Sequence, residues 1–260
     1  MDIVRQALSQ FLPPDEAGDV SLRPLGDGHI NATWLAGEGF VVQRLNPDVF
    51  KNPHAVMENM RRVCAHLAEK KGTEDFYPLE LLPACDGTCF WEAPDGVLWR
   101  CTRYVKNARA FLKLKNPAQA FAAACAFGRF VWLLKDLPPP PLVETIPDFH
   151  NTPLRFKTFC AAVKADKAGR AIQAKSEIEF VMSHARLAGE LLEMNFPVRT
   201  VHNDTKLSNL LFDESGQRVL CVLDLDTGRP GLVLHDFGDL ARSAANTGDE
   251  DAEDLSTVRL

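Results

Sequence analysis

The sequence has no Cys-x-x-Cys pair, no net positive charge, no apolar run long enough to cross a bilayer and no internal repeat. Each lack removes a class of function. The seven cysteines (64, 85, 89, 101, 125, 160, 221) are scattered and odd in number. They read as reduced, mostly buried thiols of a cytoplasmic protein, not as a disulfide framework. Cys85 and Cys89 form the one close pair, and no His neighbours them, which argues against zinc. A formal net charge of -6 supplies no global positive field, so neither nucleic acid nor an anionic membrane is an expected partner. The most apolar segment, AFAAACAFGRFVWLL at 120–134, is interrupted by Arg129 and is too short to span a bilayer, so a buried core helix is expected there. The N-terminal MDIVRQALSQFLPP carries an early Asp and reads as a short amphipathic helix (Ile3, Val4, Ala7, Leu8, Phe11), not a signal peptide.

What is present is ordinary globular composition. Hydrophobic residues make up 46% and charged residues 25% of 260, enough for a sizeable core and one to two domains. Short β-type runs separated by Gly-containing turns fill the first hundred residues: SLRPL (21–25), INATWLA, FVVQRL (40–45), TCFWEA and VLWRCTRYV (97–105). Between the third and fourth, Val56, Met57, Met60, Val63, Cys64 and Leu67 recur at helical spacing. The expected order is therefore three strands, a helix, two strands. Beyond residue 116 the texture is helical, with helices expected at 117–135, 152–163 and 176–194 and a proline stop at 138–141. The boundary falls at 106–116, separating a β-rich half (1–105) from a helical half (117–260). The acidic run DEDAED at 249–254 reads as a solvated helix start.

One stretch carries chemistry. Residues 201–213 read VHNDTKLSNLLFD, and 218–227 read RVLCVLDLDT. Phosphoryl transfer from a nucleotide needs metal ions to neutralise phosphate charge and a carboxylate to orient the acceptor and take its proton. Asp204 can be that carboxylate, and Lys206 can counter charge on the moving group. Asn209 offers a neutral oxygen to a hard cation such as Mg²⁺. NLLFD, ESGQ and RVLCVLD form a hairpin whose second strand ends at Asp224, a second carboxylate for the metal, with Asp226 beside it to assist or to contact the acceptor. A lone Asp or Asn is usually a turn or cap residue. The H-x-D-x-x-x-x-N spacing followed by an apolar strand and D-x-D is far more specific.

The HNDTKLSN segment resembles the catalytic loop of protein kinases and of the aminoglycoside phosphotransferase and choline kinase superfamily. The resemblance implies a bilobal, protein-kinase-like α+β fold, with a small antiparallel sheet lobe carrying one helix and a larger, mainly helical lobe. It implies Asp204 as catalytic base and Asn209 and Asp224 as Mg²⁺ ligands, with Lys206 where Ser/Thr protein kinases carry a Lys. DFG at 236–238 matches a kinase signature by letter, but Asp224 has the hairpin context, so Asp224 is expected at the metal. GDGHINATW, FVVQRLNPDVFKNPHAVMENM, ETIPDFHNTPLRF and GLVLHDFGDLAR narrow the likeness to the N-acetylhexosamine 1-kinases, from about residue 20 onward. That implies ATP as donor, Mg²⁺, and the anomeric hydroxyl of N-acetylglucosamine or N-acetylgalactosamine as acceptor.

The resemblance also gives roles to other residues. Gly26 and Gly28 would let a hairpin approach the ATP phosphates, or form a plain turn. His29 and Asn31 would face the sugar or phosphate. Arg103, Tyr104 and Val105 would begin the hinge near adenine. Glu58 would pair with a basic residue on FVVQRL, or lie on a solvated face. The usual strand Lys is missing: Gln43 stands at that position by register, and Arg44 beside it carries the charge. Strand neighbours face opposite ways, so only one of the two can reach the phosphates. The end of the chain, DAEDLSTVRL, resembles the start of a helix and suggests a truncated helical lobe. Alternative readings are a kinase of another small molecule (aminoglycoside, choline or homoserine type) and a non-catalytic nucleotide-binding fragment.

Overall fold

The computed structural model describes residues 2–18, 20–26, 30–70, 77–246, 248, 254, 256 and 258. Gly28 and His29, and all of the acidic run except Asp254, lie outside the described residues. The chain forms two compact units, residues 1–146 with 198–260, and residues 147–197. The expected linker at 106–116 lies within the first unit.

The first unit opens with helices α1 (Asp2–Leu8) and α2 (Pro14–Ala17). Strands β1 (Leu22–Pro24), β2 (Ala32–Ala36) and β3 (Phe40–Arg44) follow, then helix α3 (Pro53–Glu69), then β4 (Trp91–Glu92) and β5 (Leu98–Arg103). This is the expected order of three strands, a helix and two strands. The five strands form one antiparallel sheet in the order β1-β2-β3-β5-β4. Alternation gives the sheet two unlike faces. Val42, Trp99 and Cys101 point to one face, into a core shared with Val4, Ala7, Leu8 and Phe11. Ile3, expected on the buried stripe of α1, is 39% exposed, so the stripe is narrower than the apolar pattern suggested. Gln43 and Arg100 point to the opposite face, together with Leu98, which joins the larger core.

All six residues predicted for the inner face of α3 are buried. They join a larger core with Phe127 and Phe130 of helix α4 (Pro117–Leu133) and with Leu210, Phe212, Val219 and Val222. Between β5 and α4 lies β6 (Ala108–Arg109), a strand the sequence did not signal; it pairs with β8 (Leu210–Asp213), which pairs in turn with β9 (Val219–Val222). Asparagine side chains cap α3 and α4: Asn52 accepts from the Ala55 N–H at 3.1 Å and Asn116 from the Gln119 N–H at 3.0 Å. A proline follows each cap, where its missing N–H costs nothing. Helix α4 stops at Leu133, ahead of the four prolines.

The second unit holds α5 (Thr152–Ala165), α6 (Lys175–Ser183) and α7 (Leu187–Glu193). The single helix expected over 176–194 is therefore two. At the break, Ser183 Oγ donates to the Phe180 carbonyl at 2.8 Å and the His184 ring lies 2.8 Å from the same oxygen, so side chains take an acceptor the helix would use. None of the three helices buries a residue. The first unit resumes with β7 (Arg199–Val201) and closes with β10 (Arg229–Gly231), which pairs with β7, and helix α8 (Val233–Ala245). Among the described residues, no helix is long and apolar enough to cross a membrane. All seven cysteines are free; Cys64, Cys101 and Cys221 are buried, their thiols pushed up to about 12 by burial, whereas Cys85 and Cys125 are exposed. The expectation of mostly buried thiols thus holds for only three of them.

Candidate active site

Strand β7 delivers the chain into His202–Leu207, and the geometry of that loop is set by buried groups behind it. Asn203 sits in the left-handed region at φ 68°. That conformation costs a non-glycine residue about 1–2 kcal/mol and persists only where neighbours enforce it. Asp236, in the first turn of α8, is the enforcing group. Its two oxygens accept the His202 N–H at 3.0 Å and the Asn203 N–H at 2.8 Å, and its carbonyl accepts from Thr205 Oγ1 at 2.6 Å. The DFG aspartate thus holds the loop from beneath, 4% exposed. Nothing in the local sequence signals this use.

His202 is fully buried between Phe127 and Phe130, whose ring centroids lie 5.4 and 5.5 Å away. Its Nε2 meets the Leu223 carbonyl at 2.8 Å, and its Nδ1 accepts the Asp204 N–H at 3.2 Å. It ties the loop to the end of β9 and serves structure. From there the loop turns outward. Asp204 is 21% exposed at its side chain; one oxygen takes Asn209 Nδ2 at 2.8 Å and lies 3.3 Å from Lys206 Nζ. Asn209 Nδ2 also donates to the Asp204 carbonyl at 2.7 Å. With its amide nitrogen spent on Asp204, Asn209 has its amide oxygen left for a cation.

Asp224 arrives from the other hairpin arm. The Leu223 N–H donates to the Asn209 carbonyl at 2.8 Å, which sets Asp224 beside the loop. It too is left-handed, at φ 55° and ψ 62°. Burial, then the nearby charges of Asp226 and Asp204, push its carboxyl up to about 6. A carboxylate so disfavoured by its neighbours is one that a divalent cation would relieve. Among the described residues no cluster of three or more His, Cys, Asp or Glu side chains has metal-binding geometry. The donor pair Asn209 and Asp224 suits Mg²⁺ nonetheless, because that ion takes one or two carboxylates and fills its shell with water and phosphate oxygens.

The remaining expected residues are distributed unevenly. Gln43 and Arg44 separate as strand neighbours must: Gln43 Nε2 donates to Thr33 Oγ1 at 3.0 Å and its Oε1 accepts from Arg100, while Arg44 lies 4.0 Å from Asp95. Glu58 bonds Arg61 on its own helix at 2.7 and 2.8 Å, in solvent, which draws its pKa down. The expected pairing of Glu58 with strand β3 is not formed, because Arg61, one helical turn away, is nearer. Asn31 and Asp226 face each other: Asn31 Nδ2 donates to Asp226 at 2.7 Å, and both are buried. Asp226 is 1% exposed with both oxygens bonded, so it is spent on the fold rather than open to an acceptor. Gly26 is left-handed at φ 73°, as a turn requires. Arg103, Tyr104 and Val105 line a cavity of about 640 Å³ with Tyr77, Glu80 and Arg218. Residues 80–82 flank the edge of β5 opposite β3, so this cavity lies behind the linker and none of Asp204, Asn209 or Asp224 lines it. Arg100 was not anticipated, although a charged residue within the apolar run VLWRC was its signal.

A model of the phosphotransferase enzyme family (APH) matches residues 21–258. The chain belongs to that family. Solved structures agree on the fold. The GDP and kanamycin complex of APH(2")-IIia is similar with a TM-score of 0.61 at 16% identity, over 88% of this chain and 76% of that one. Amicoumacin kinase hAmiN, in complex with AMP-PNP, Ca²⁺ and Ami, gives 0.61 at 13% identity, over 94% and 68%. A choline/ethanolamine kinase family protein from Mesorhizobium loti gives 0.50 at 18% identity, over 92% and 69%. The α+β, kinase-like architecture of the family is therefore the architecture of this chain, and its chemistry is that of a phosphotransferase.

Proposed function

We propose that this phosphotransferase moves the γ-phosphoryl group of ATP to the anomeric hydroxyl of an N-acetylhexosamine, giving a sugar 1-phosphate. The observation that carries the kinase reading is the pairing of Asp204 and Asp224. One oxygen of Asp204 is fixed by Asn209 and Lys206. Among the described residues the other has no hydrogen-bond partner, which leaves it to take the proton. In this reading Asp204 orients the acceptor hydroxyl and accepts its proton as the oxygen attacks phosphorus in line with the departing ADP. Lys206, 25% exposed at its side chain and beside Asp204, offsets negative charge on the phosphoryl group. Asn209 and Asp224 would hold Mg²⁺, which when bound neutralises phosphate charge.

ATP as donor is supported by the AMP-PNP in the amicoumacin kinase complex, whereas the APH(2")-IIia complex holds GDP. Residues 1–105 are proposed as the nucleotide-binding lobe, 106–116 as linker and 117–260 as the lobe with the catalytic loop. Gly26 and Gly28 would approach the phosphates, Gln43 would stand on the phosphate side of the sheet, and Arg103–Val105 would present backbone to adenine. Arg44 and Glu58 are engaged with Asp95 and Arg61. They would reach a nucleotide only by releasing those partners. His29 is the direct acceptor contact proposed, with Asn31 and Asp226 behind it. The sugar assignment rests on the sequence likeness of GDGHINATW and ETIPDFHNTPLRF. A second acceptor class, aminoglycosides or choline, is favoured by the kanamycin, amicoumacin and choline/ethanolamine kinase folds. With ATP as donor and seven free cysteines, the cytoplasm is the proposed location.

The test is ADP release with Mg·ATP and, separately, N-acetylglucosamine, N-acetylgalactosamine, kanamycin and choline. Sugar-dependent ADP with sugar 1-phosphate as product is expected. Release with kanamycin or choline alone would move the acceptor, and no release with any of them would remove the kinase reading. Asp204→Asn should retain nucleotide binding and lose turnover; near-unchanged turnover would remove the base assignment.

A further inference from the structure

The sheet lacks a cation where a kinase-like fold is expected to carry one on β3, and the structure holds one on the strand beside it. In the antiparallel register of β3 and β5, Arg100 stands directly opposite Gln43. Cross-strand partners share a face. Arg100 therefore occupies the face of the sheet that Gln43 occupies and Arg44 does not. Its Nε donates to Gln43 Oε1 at 2.9 Å, which orients the guanidinium. Its two terminal nitrogens donate to the two oxygens of Asp226, Nη2 at 3.0 Å. The pair is almost wholly buried, at 2% and 1% exposure. Burial opposes the Arg100 charge, and Asp226 more than offsets that, so its pKa lies above the ordinary arginine value.

We propose that Arg100 is the positioning residue of the metal-binding turn: by its two-pronged hold on Asp226 it fixes Leu225 and Asp224, and thereby the carboxylate offered to Mg²⁺. This deepens the kinase reading above and rests on it. Asp224 has an unfavourable backbone conformation and must be held on both sides. On the N-terminal side Leu223 is held by Asn209 and His202. On the C-terminal side Asp226 is held by Arg100 and Asn31, and its carbonyl accepts from Thr145 Oγ1 at 2.7 Å. Arg100 is the cationic member of the second set. Its charge also opposes that of Asp226 at Asp224. A lysine presents one ammonium and cannot serve Gln43 and both Asp226 oxygens in one plane.

The experiment compares wild type with Arg100→Lys and Asp226→Asn. Calorimetry reads Mn²⁺ binding in the presence of AMP-PNP, circular dichroism reads the fold, and turnover is read against Mg²⁺ concentration. Support for a ligand through its outer partners is usually worth about 10–100-fold in metal affinity or activity. Folded Arg100→Lys should bind Mn²⁺ at least about tenfold more weakly and need correspondingly more Mg²⁺ for half-maximal rate, with the KM for acceptor unchanged. Asp226→Asn, which keeps the side-chain shape, should show the same weakening of Mn²⁺ binding if Arg100→Lys does not fold. Folded variants that bind Mn²⁺ as wild type does would overturn the proposal. Wild type that binds no Mn²⁺ with AMP-PNP would instead overturn the kinase reading, and the proposal with it.

Discussion

Asp236 is the residue on which the His202–Leu207 loop most depends. Two backbone N–H groups of the loop end on its carboxylate, and it is buried. An amide in its place keeps the shape but turns one acceptor into a donor facing an N–H. Leaving a buried donor unmatched costs about 1–3 kcal/mol. Asp236→Asn is therefore expected to lower unfolding free energy in urea by about that amount and to reduce turnover, since Asp204 follows directly on the misplaced residues. An unchanged urea midpoint with unchanged turnover would show that the loop holds itself. The sequence displayed this aspartate within a familiar tripeptide. Its role became visible only when α8 was seen to begin beneath β7.

Helices α3 and α4 end side by side, and the join is charged. Asp136 accepts from Lys70 and meets His66 Nε2 at 3.2 Å, while His66 also reaches the Leu133 carbonyl at 3.1 Å. The Lys70 hydrogen bond, with His66 adding to it, holds the Asp136 carboxyl down at about 2. The unfolded-state value is about 3.9. A depressed carboxylate contributes stability above its unfolded pKa and loses it as pH falls through the folded one. The contribution is thus complete above about pH 5, falls away as pH drops through about 2 and is gone at about pH 1. Thermal melts across that range should show Asp136→Asn less stable than wild type at neutral pH and equal to it at the acid end. A gap that stays constant with pH would locate the effect elsewhere. At this scale the sequence was readable where a helix buries one stripe, as in α3. It misled at α6 and α7, which bury nothing and so leave no periodic constraint to hold one continuous helix.

The two units differ in how their elements are held. In the first, α3, α4, β8 and β9 share one core. In the second, α5, α6 and α7 have no buried residue, and Phe180, Leu187 and Ile172 are 64%, 61% and 76% exposed. Protection against hydrogen exchange follows buried apolar contact and shielded backbone bonds. Amides of 152–193 are expected to exchange by local opening well before those of α3, α4 and β5. Mass-spectrometric exchange at peptide resolution checks this, and equal protection in both units would show that the second is buttressed.

Periodicity and spacing in the sequence determined the order of strands along the first hundred residues, the helix between β3 and β4, the β8–β9 hairpin and the grouping of Asp204, Asn209 and Asp224. These are local matters: a strand alternates, a helix repeats, and a loop of five residues keeps its ends together. The sequence could also state that one of Gln43 and Arg44 faces inward, because strand neighbours diverge. It could not state what that face meets. Arg100 lies 126 positions from Asp226, and Asn31 lies 195. Only the folded chain brings a strand, a turn and a loop that far apart in sequence around one carboxylate, since burying that charge is tolerable only where its partners have already been assembled.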